Sequence, residues 1–147
     1  MDITDVATRS RMMASIKGKN TLPELSVRSA LHTRGFRFRL HDKALPGKPD
    51  IVLPKWKAAV FVHGCFWHLH GCANSKIPST RQEFWSQKLN SNVLRDRRHI
   101  DALQSEGWRV AVVWECSIRR AIKTGNLEPY EKLSNWLRDE VSTSIEI

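Results

Sequence analysis

Two short apolar runs constrain this chain more than any other feature. Ala58-Ala59-Val60-Phe61-Val62 and Val110-Ala111-Val112-Val113 have the length and β-branched content of strands buried on both faces. Strands of that kind need covering layers on either side. The sequence between them is helical in character, and the order strand, helix, strand implies a parallel pair joined by a crossover.

The flanking sequence fills in the rest of the expected fold. Thr21-Leu22-Pro23-Glu24 is a capping box opening a helix with Leu22, Leu25, Ala30 and Leu31 on its apolar face, ended by Gly35. Phe36, Phe38 and Leu40 alternate with Arg37 and Arg39, predicting a half-buried strand over 36–40 with a basic outer face. The turn Leu45-Pro46-Gly47-Lys48-Pro49 leads to a short strand at Asp50–Leu53, which completes a meander with 58–62. Thr80-Arg81-Gln82-Glu83 is a second capping box. The helix it opens should break near Asn90-Ser91-Asn92, and a second helix should run to Gly107. A last helix over about 128–140 carries Leu133, Trp136 and Leu137 on one face, and 142–147 reads as a frayed end. The expectation is one α/β domain with a mixed central sheet flanked by helices.

Composition narrows the function. A chain of 147 residues suits one domain. Its 24 Lys and Arg against 15 Asp and Glu give a formal charge of +9, which points to an anionic partner such as nucleic acid. Hydrophobic residues at 41% exclude a disordered chain. No stretch approaches the roughly 18 consecutive apolar residues of a membrane span. The start Met1-Asp2-Ile3-Thr4-Asp5 has no apolar signal core, so the protein is expected in the cytoplasm. Three cysteines, an odd number, favour metal or redox chemistry over a disulfide framework.

Three constellations carry chemistry. Cys65, His70, Cys72 and Cys116 supply the four ligands of a tetrahedral zinc site, with His68 as a competing histidine. The spacing suits an irregular loop closed by a residue at a strand end. Next, Pro49-Asp50 opens one strand and Val62-His63-Gly64 ends its neighbour, so the meander brings His63 near Asp50. A carboxylate and a backbone carbonyl holding Mg²⁺ beside a base is a nuclease layout. In that comparison Phe61-Val62-His63 lacks the second acid, and histidine replaces lysine. Last, Phe66-Trp67 and Phe84-Trp85 lie among basic residues, where large apolar side chains can wedge between base pairs. Trp56, Trp108, Trp114 and Trp136 fit core packing. Arg95-Asp96-Arg97-Arg98 reads equally as phosphate-contacting surface or a solvated helix face.

Several blocks recur in the order found in one known family: Ala7-Thr8-Arg9-Ser10, Leu45-Pro46-Gly47-Lys48-Pro49-Asp50, His63-Gly64-Cys65-Phe66-Trp67-His68, Thr80-Arg81 with Phe84-Trp85, Asn92-Val93 with Arg95-Asp96-Arg97-Arg98, and Gly107-Trp108-Arg109-Val110 with Val113-Trp114-Glu115-Cys116. From about residue 5 to 120 the chain resembles the very short patch repair (Vsr) endonucleases. The resemblance implies a restriction-endonuclease-like fold, related to the PD-(D/E)xK nucleases. It also implies an enzyme that nicks 5′ to the thymine of T:G mismatches left by 5-methylcytosine deamination, with catalytic Mg²⁺ and one structural zinc. It assigns the Mg²⁺ to Asp50 and the Val62 backbone carbonyl, the active-site histidines to His63 and His68, and supporting acids to Glu24 and Asp96. It assigns the zinc to Cys65, His70, Cys72 and Cys116, so His68 goes to chemistry. Phe66, Trp67 and Trp85 become the wedge, and Arg9 and Met13 reach the other groove. Val62 stands where the family often has threonine, a tolerable change for a backbone ligand. The resemblance further implies a nucleoid-associated bacterial monomer acting on double-stranded DNA, with a MutL-like repair protein as partner. On this reading 1–20 is a basic DNA-contacting segment, 21–141 the nuclease domain and 142–147 a flexible tail. The alternatives are a restriction-type nuclease of the same fold and a non-catalytic, zinc-stabilised DNA-binding protein.

Overall fold

Residues Ala58–His63 form β3, and the rest of the molecule is arranged around it. The computed structural model describes residues 20–147; Arg9, Met13 and the helix expected over 5–17 lie outside the described residues. In chain order the elements are α1 (Leu22–Thr33), β1 (Arg39–Leu40), β2 (Ile51–Leu53), β3, α2 (Gln82–Ser105), β4 (Arg109–Trp114), α3 (Glu115–Thr124), α4 (Glu128–Asp139) and β5 (Ser144–Glu146). The sheet order is β1-β2-β3-β4-β5. The first two pairings are antiparallel, as the meander requires, and β3/β4 and β4/β5 are parallel.

Strand alternation divides the core into two. Ala58, Val60, Ala111 and Val113 face Val27, Leu31, Leu133 and Leu137, the buried stripes of α1 and α4. Ala59, Phe61, Val110, Val112 and Trp114 face Leu103 of α2 and Cys65. This is the helix, mixed sheet, helix layering expected for buried central strands. The helices that end at Gly35 and Gly107 close with the same hydrogen-bond pattern. Phe36 N–H donates to Leu31 O and Gly35 N–H to His32 O; Trp108 N–H donates to Leu103 O and Gly107 N–H to Gln104 O. These are Schellman caps, and Gly35 (φ 87) and Gly107 (φ 88) hold the left-handed position they need.

Four local expectations are corrected. The helix from Gln82 runs unbroken for 24 residues through Asn90-Ser91-Asn92. The modest propensity cost of three polar residues, each under about 0.7 kcal/mol, is outweighed by anchors on both sides at Leu89 and Leu103. Its N-cap is Arg81 in a left-handed conformation with no side-chain cap, so Thr80-Arg81-Gln82-Glu83 is not a capping box. The first strand shrinks to Arg39–Leu40. The supposed frayed end is a strand instead. Ser144–Glu146 pairs with Val110–Val112, Ile147 N–H donates to Val112 O and Trp114 N–H to Ile147 O, and Trp114 Nε1 donates to Glu146 Oε1 at 3.0 Å. Alternating Ile145 and Ile147 carry the signal, which three serines and threonines in a short polar stretch conceal. α3 was not anticipated, because it begins directly where β4 ends, with no capping side chain to announce it.

A chain truncated after Ser142 tests the role of β5. It leaves the edge of β4 unpaired and the Trp114 indole N–H without its acceptor. At about 0.5–1.5 kcal/mol for each lost bond, urea unfolding should show a loss of roughly 2–4 kcal/mol. An unchanged midpoint would mean that the end contributes nothing.

Candidate active site and metal centre

The site lies where the parallel strands β3 and β4 end, the usual position for function in α/β sheets. His63 pairs in register with Trp114, and both side chains fall on the α2 face. Beyond them the chain leaves the sheet in two directions. After β3 it enters the irregular loop that carries Cys65 to Cys72; after β4 it enters α3, with Cys116 in the first turn.

That loop folds back on itself. His70 N–H donates to Cys65 O at 3.1 Å and His68 N–H to Gly64 O at 3.2 Å, while Leu69 adopts a left-handed φ of 46°. The His70 ring then stacks on Trp114, 4.1 Å between centroids. Its Nδ1 lies 3.6 Å from Cys65 Sγ and 3.4 Å from Cys116 Sγ. The donor atoms of Cys65, His70, Cys72 and Cys116 all lie within 4.8 Å of one another. A tetrahedral zinc with bonds of about 2.3 Å to sulfur and about 2.0 Å to nitrogen separates such donors by roughly 3.5 Å, so the set fits zinc. His68, the competing histidine, is not in this group. Burial pushes the Cys65 thiol up to about 12 in the absence of a neighbouring cation; a coordinated dication reverses that logic and holds it as thiolate.

His68 belongs to a second cluster with His63 and Asp96. His68 Nδ1 donates to Asp96 Oδ2. That bond leaves Nε2 as the basic nitrogen of the ring, the way a carboxylate fixes an imidazole tautomer. The hydrogen bond and charge of His68 hold Asp96 below the usual carboxylate range despite the opposing effect of burial. His63 stacks face to face on His68, 3.8 Å between centroids and 3° between planes. Two cofacial imidazoles cannot both carry charge cheaply. Burial and the charge of His68 push His63 down to about 3, leaving it the neutral partner.

Asp50 belongs to a third cluster, with Glu24 and His41. The antiparallel register of β2 and β3 places its Oδ2 2.8 Å from Val62 N–H. Burial, with the nearby Glu24 charge, raises Asp50 to about 6 against the lowering effects of Val62, His41 and His68. A carboxylate lifted this way is short of positive charge, which a divalent cation would provide. Glu24 is buried at 2% exposure. Burial raises its pKa, but Arg28, His41 and the Asn20 N–H more than reverse this and hold it low. The capping and functional readings of Glu24 coexist. Thr21 Oγ1 accepts from Glu24 N, and Glu24 Oε2 accepts from Asn20 N, so the reach-back bond lands one residue earlier than the motif prescribes.

The second cluster and, from the third, His41 and Asp50 share the wall of one cleft of about 590 Å³, together with Lys43, Lys48 and Arg95. The cleft is closed by the Pro46-Gly47 turn packing on α2. A Cβ at Gly47 would come 2.8 Å from His99 Cβ, and its φ is +75°, so glycine is required there. Sequence reasoning missed His41 and His99, both in this wall. Neither sits in a recognisable motif, and the only signal was their histidine identity in a basic segment.

The aromatic residues form one half-buried group rather than separate spikes. Phe66, Trp67 and Trp85 make mutual edge contacts at 5.0, 5.5 and 6.0 Å. Asn92 of α2 anchors the loop by donating to Trp67 O at 3.1 Å. Phe84 lies beside Trp85 with Arg81 over its ring. Trp114 and Trp136 are buried as expected.

Comparison with known proteins bears on this geometry. Residues 1–74 match the family model described as DNA mismatch endonuclease Vsr. The DNA mismatch endonuclease Vsr of Escherichia coli (strain K12) is 45% identical over 139 residues, spanning 95% of this chain and 89% of that protein. A type II nicking enzyme, V.XorIIP of Xanthomonas oryzae pv. oryzae, is 54% identical over 110 residues, 75% of this chain and 81% of its own. Another, V.NmeAIP of Neisseria meningitidis, is 45% identical over 118 residues, 80% and 84% of the two chains. With likeness running across nearly its whole length, the chain belongs to the Vsr DNA mismatch endonuclease family.

Proposed function

We propose that this protein is a Mg²⁺-dependent endonuclease that nicks double-stranded DNA 5′ to the thymine of a T:G mismatch. The observation that carries the reading is the sharing of one basic cleft by Asp50 and the His63, His68, Asp96 cluster. Family membership supplies the substrate class, through relatives described as mismatch and nicking endonucleases.

Asp50 and the Val62 carbonyl would hold the Mg²⁺, which supplies Lewis-acid stabilisation of charge at the scissile phosphate. The protein groups do the remainder. His68 accepts the proton of the attacking water at Nε2, while Asp96 on Nδ1 holds the ring in the required tautomer and stabilises the imidazolium. His63, held neutral, orients a phosphate oxygen rather than neutralising it. Glu24 orients water beside Asp50. Lys43, Lys48 and Arg95 draw the backbone into the cleft. Phe66, Trp67 and Trp85 exchange contacts with one another for contacts with bases and so unstack the step beside the mismatch. A wobble pair is cheaper to open than a matched pair, and deformation contributes to selection. The zinc ligands pin the loop that carries His68 and two of the aromatics, directly after the strand that ends in His63.

Nicking of labelled duplexes differing only in T:G or T:A at one position tests the reading. Cleavage confined to the T:G duplex is expected; equal cleavage of both would favour a restriction-type enzyme, and none with Mg²⁺ a binding protein. Asp50→Asn should abolish nicking while mismatch binding persists in a gel-shift assay, and a variant nicking at the parental rate would remove Asp50 from the chemistry. Asp96→Asn should slow single-turnover nicking by about 10²–10⁴-fold, the range of a lost general-base contribution, with little change in DNA affinity. Elemental analysis should find one zinc per chain in the parent and none in Cys116→Ser, with a lower melting temperature for the variant; a parent without zinc would refute the structural ion.

A further inference from the structure

The cluster at Asp50 contains one side chain, His41, that the proposed mechanism leaves without a role. Glu24, His41 and Asp50 each offer a donor atom, and the three lie within 4.8 Å of one another. One dication at about 2.2 Å from each can close that spacing with side-chain shifts of a few tenths of an ångström. The backbone puts His41 there. Its φ is 48°, a left-handed conformation uncommon outside glycine and concentrated at functional sites. Its N–H donates to Asp50 O at 3.1 Å, which ties the two residues together across the turn. Its Nε2 reaches Glu24 Oε1 at 2.5 Å. Its ring lines the same cleft as Asp50, His63 and His68.

We propose that His41, together with Glu24, adds donors to the divalent-cation site at Asp50, making it a mixed nitrogen and oxygen site that binds Mn²⁺ more tightly than Mg²⁺. This rests on the nuclease reading to the extent that both place a cation at Asp50. Mg²⁺ prefers oxygen ligands and retains its waters, so an imidazole adds little to its binding. A first-row transition ion gains from the ring nitrogen. Arg28, 2.6 Å from Glu24 Oε1 and 3.4 Å from His41 Nε2, balances the glutamate charge when no ion is bound.

The test is Mn²⁺ titration of the zinc-retaining protein without DNA, read by the loss of the free-ion electron paramagnetic resonance signal. Mn²⁺ is the weakest binder of the first-row series and leaves thiolate-bound zinc in place. The parent is compared with His41→Asn and Asp50→Asn; asparagine is chosen at 41 because it tolerates a positive φ, and thermal melts verify that each variant is folded. The parent should bind one Mn²⁺, and His41→Asn should bind it about tenfold or more weakly. Mg²⁺ affinity by calorimetry should stay within about twofold of the parent. Unchanged Mn²⁺ binding in His41→Asn, an equal loss of both ions, or no Mn²⁺ binding by the parent would overturn the proposal. Loss in Asp50→Asn alone would leave the nuclease cation site standing without His41. A parent that binds Mn²⁺ through His41 yet nicks no T:G duplex would sink the nuclease reading and spare this one.

Discussion

The parallel pairing of β3 with β4 is the constraint on which both centres depend. Its register sets His63 beside Trp114, and from those two positions the chain diverges into the Cys65–Cys72 loop and into α3. Cys116 therefore starts its helix within reach of a loop that left the neighbouring strand. Trp114 serves both centres: its ring stacks on His70 and meets His63 edge-on at 5.4 Å. A one-residue slip of β3 would turn His63, and one of β4 would turn Trp114, to the opposite face, toward α1 and α4, and break the stacking that joins the two centres.

Electrostatics then divides the labour among residues that look alike in sequence. Two carboxylates in one cleft are driven in opposite directions. Asp50 rises to about 6 because burial, with the Glu24 charge, outweighs the Val62 N–H and the nearby His41 and His68, whereas Asp96 is held low by its bond to His68. The two stacked imidazoles separate in the same way, the more buried His63 staying neutral. Environment, not residue type, sets one carboxylate apart from the other and one imidazole from its stacked partner.

Much of this was legible in the sequence, because the strongest signals were local. The apolar runs gave the central strands, and the glycine caps gave two helix ends. That His63 and Asp50 line one cleft followed from the meander alone. The four cysteine and histidine ligands were narrowed to one set by resemblance, and the structure gathers that same set. What escaped depended on distant partners. β5 is a strand only because the edge of β4 is open to it. α2 continues through three weak helix formers because Leu89 and Leu103 are buried on either side. His41 matters only through a left-handed turn that returns it to Asp50 and Glu24, two residues far apart in the chain. No window of sequence contains those relations.

X-ray absorption at the zinc edge of the purified protein tests most directly whether one ion ties together the ends of the two paired strands. A shell of three sulfurs at about 2.3 Å and one nitrogen at about 2.0 Å is the expected result. A shell of nitrogen and oxygen alone, or a zinc-free protein that still melts and nicks like the parent, would contradict it.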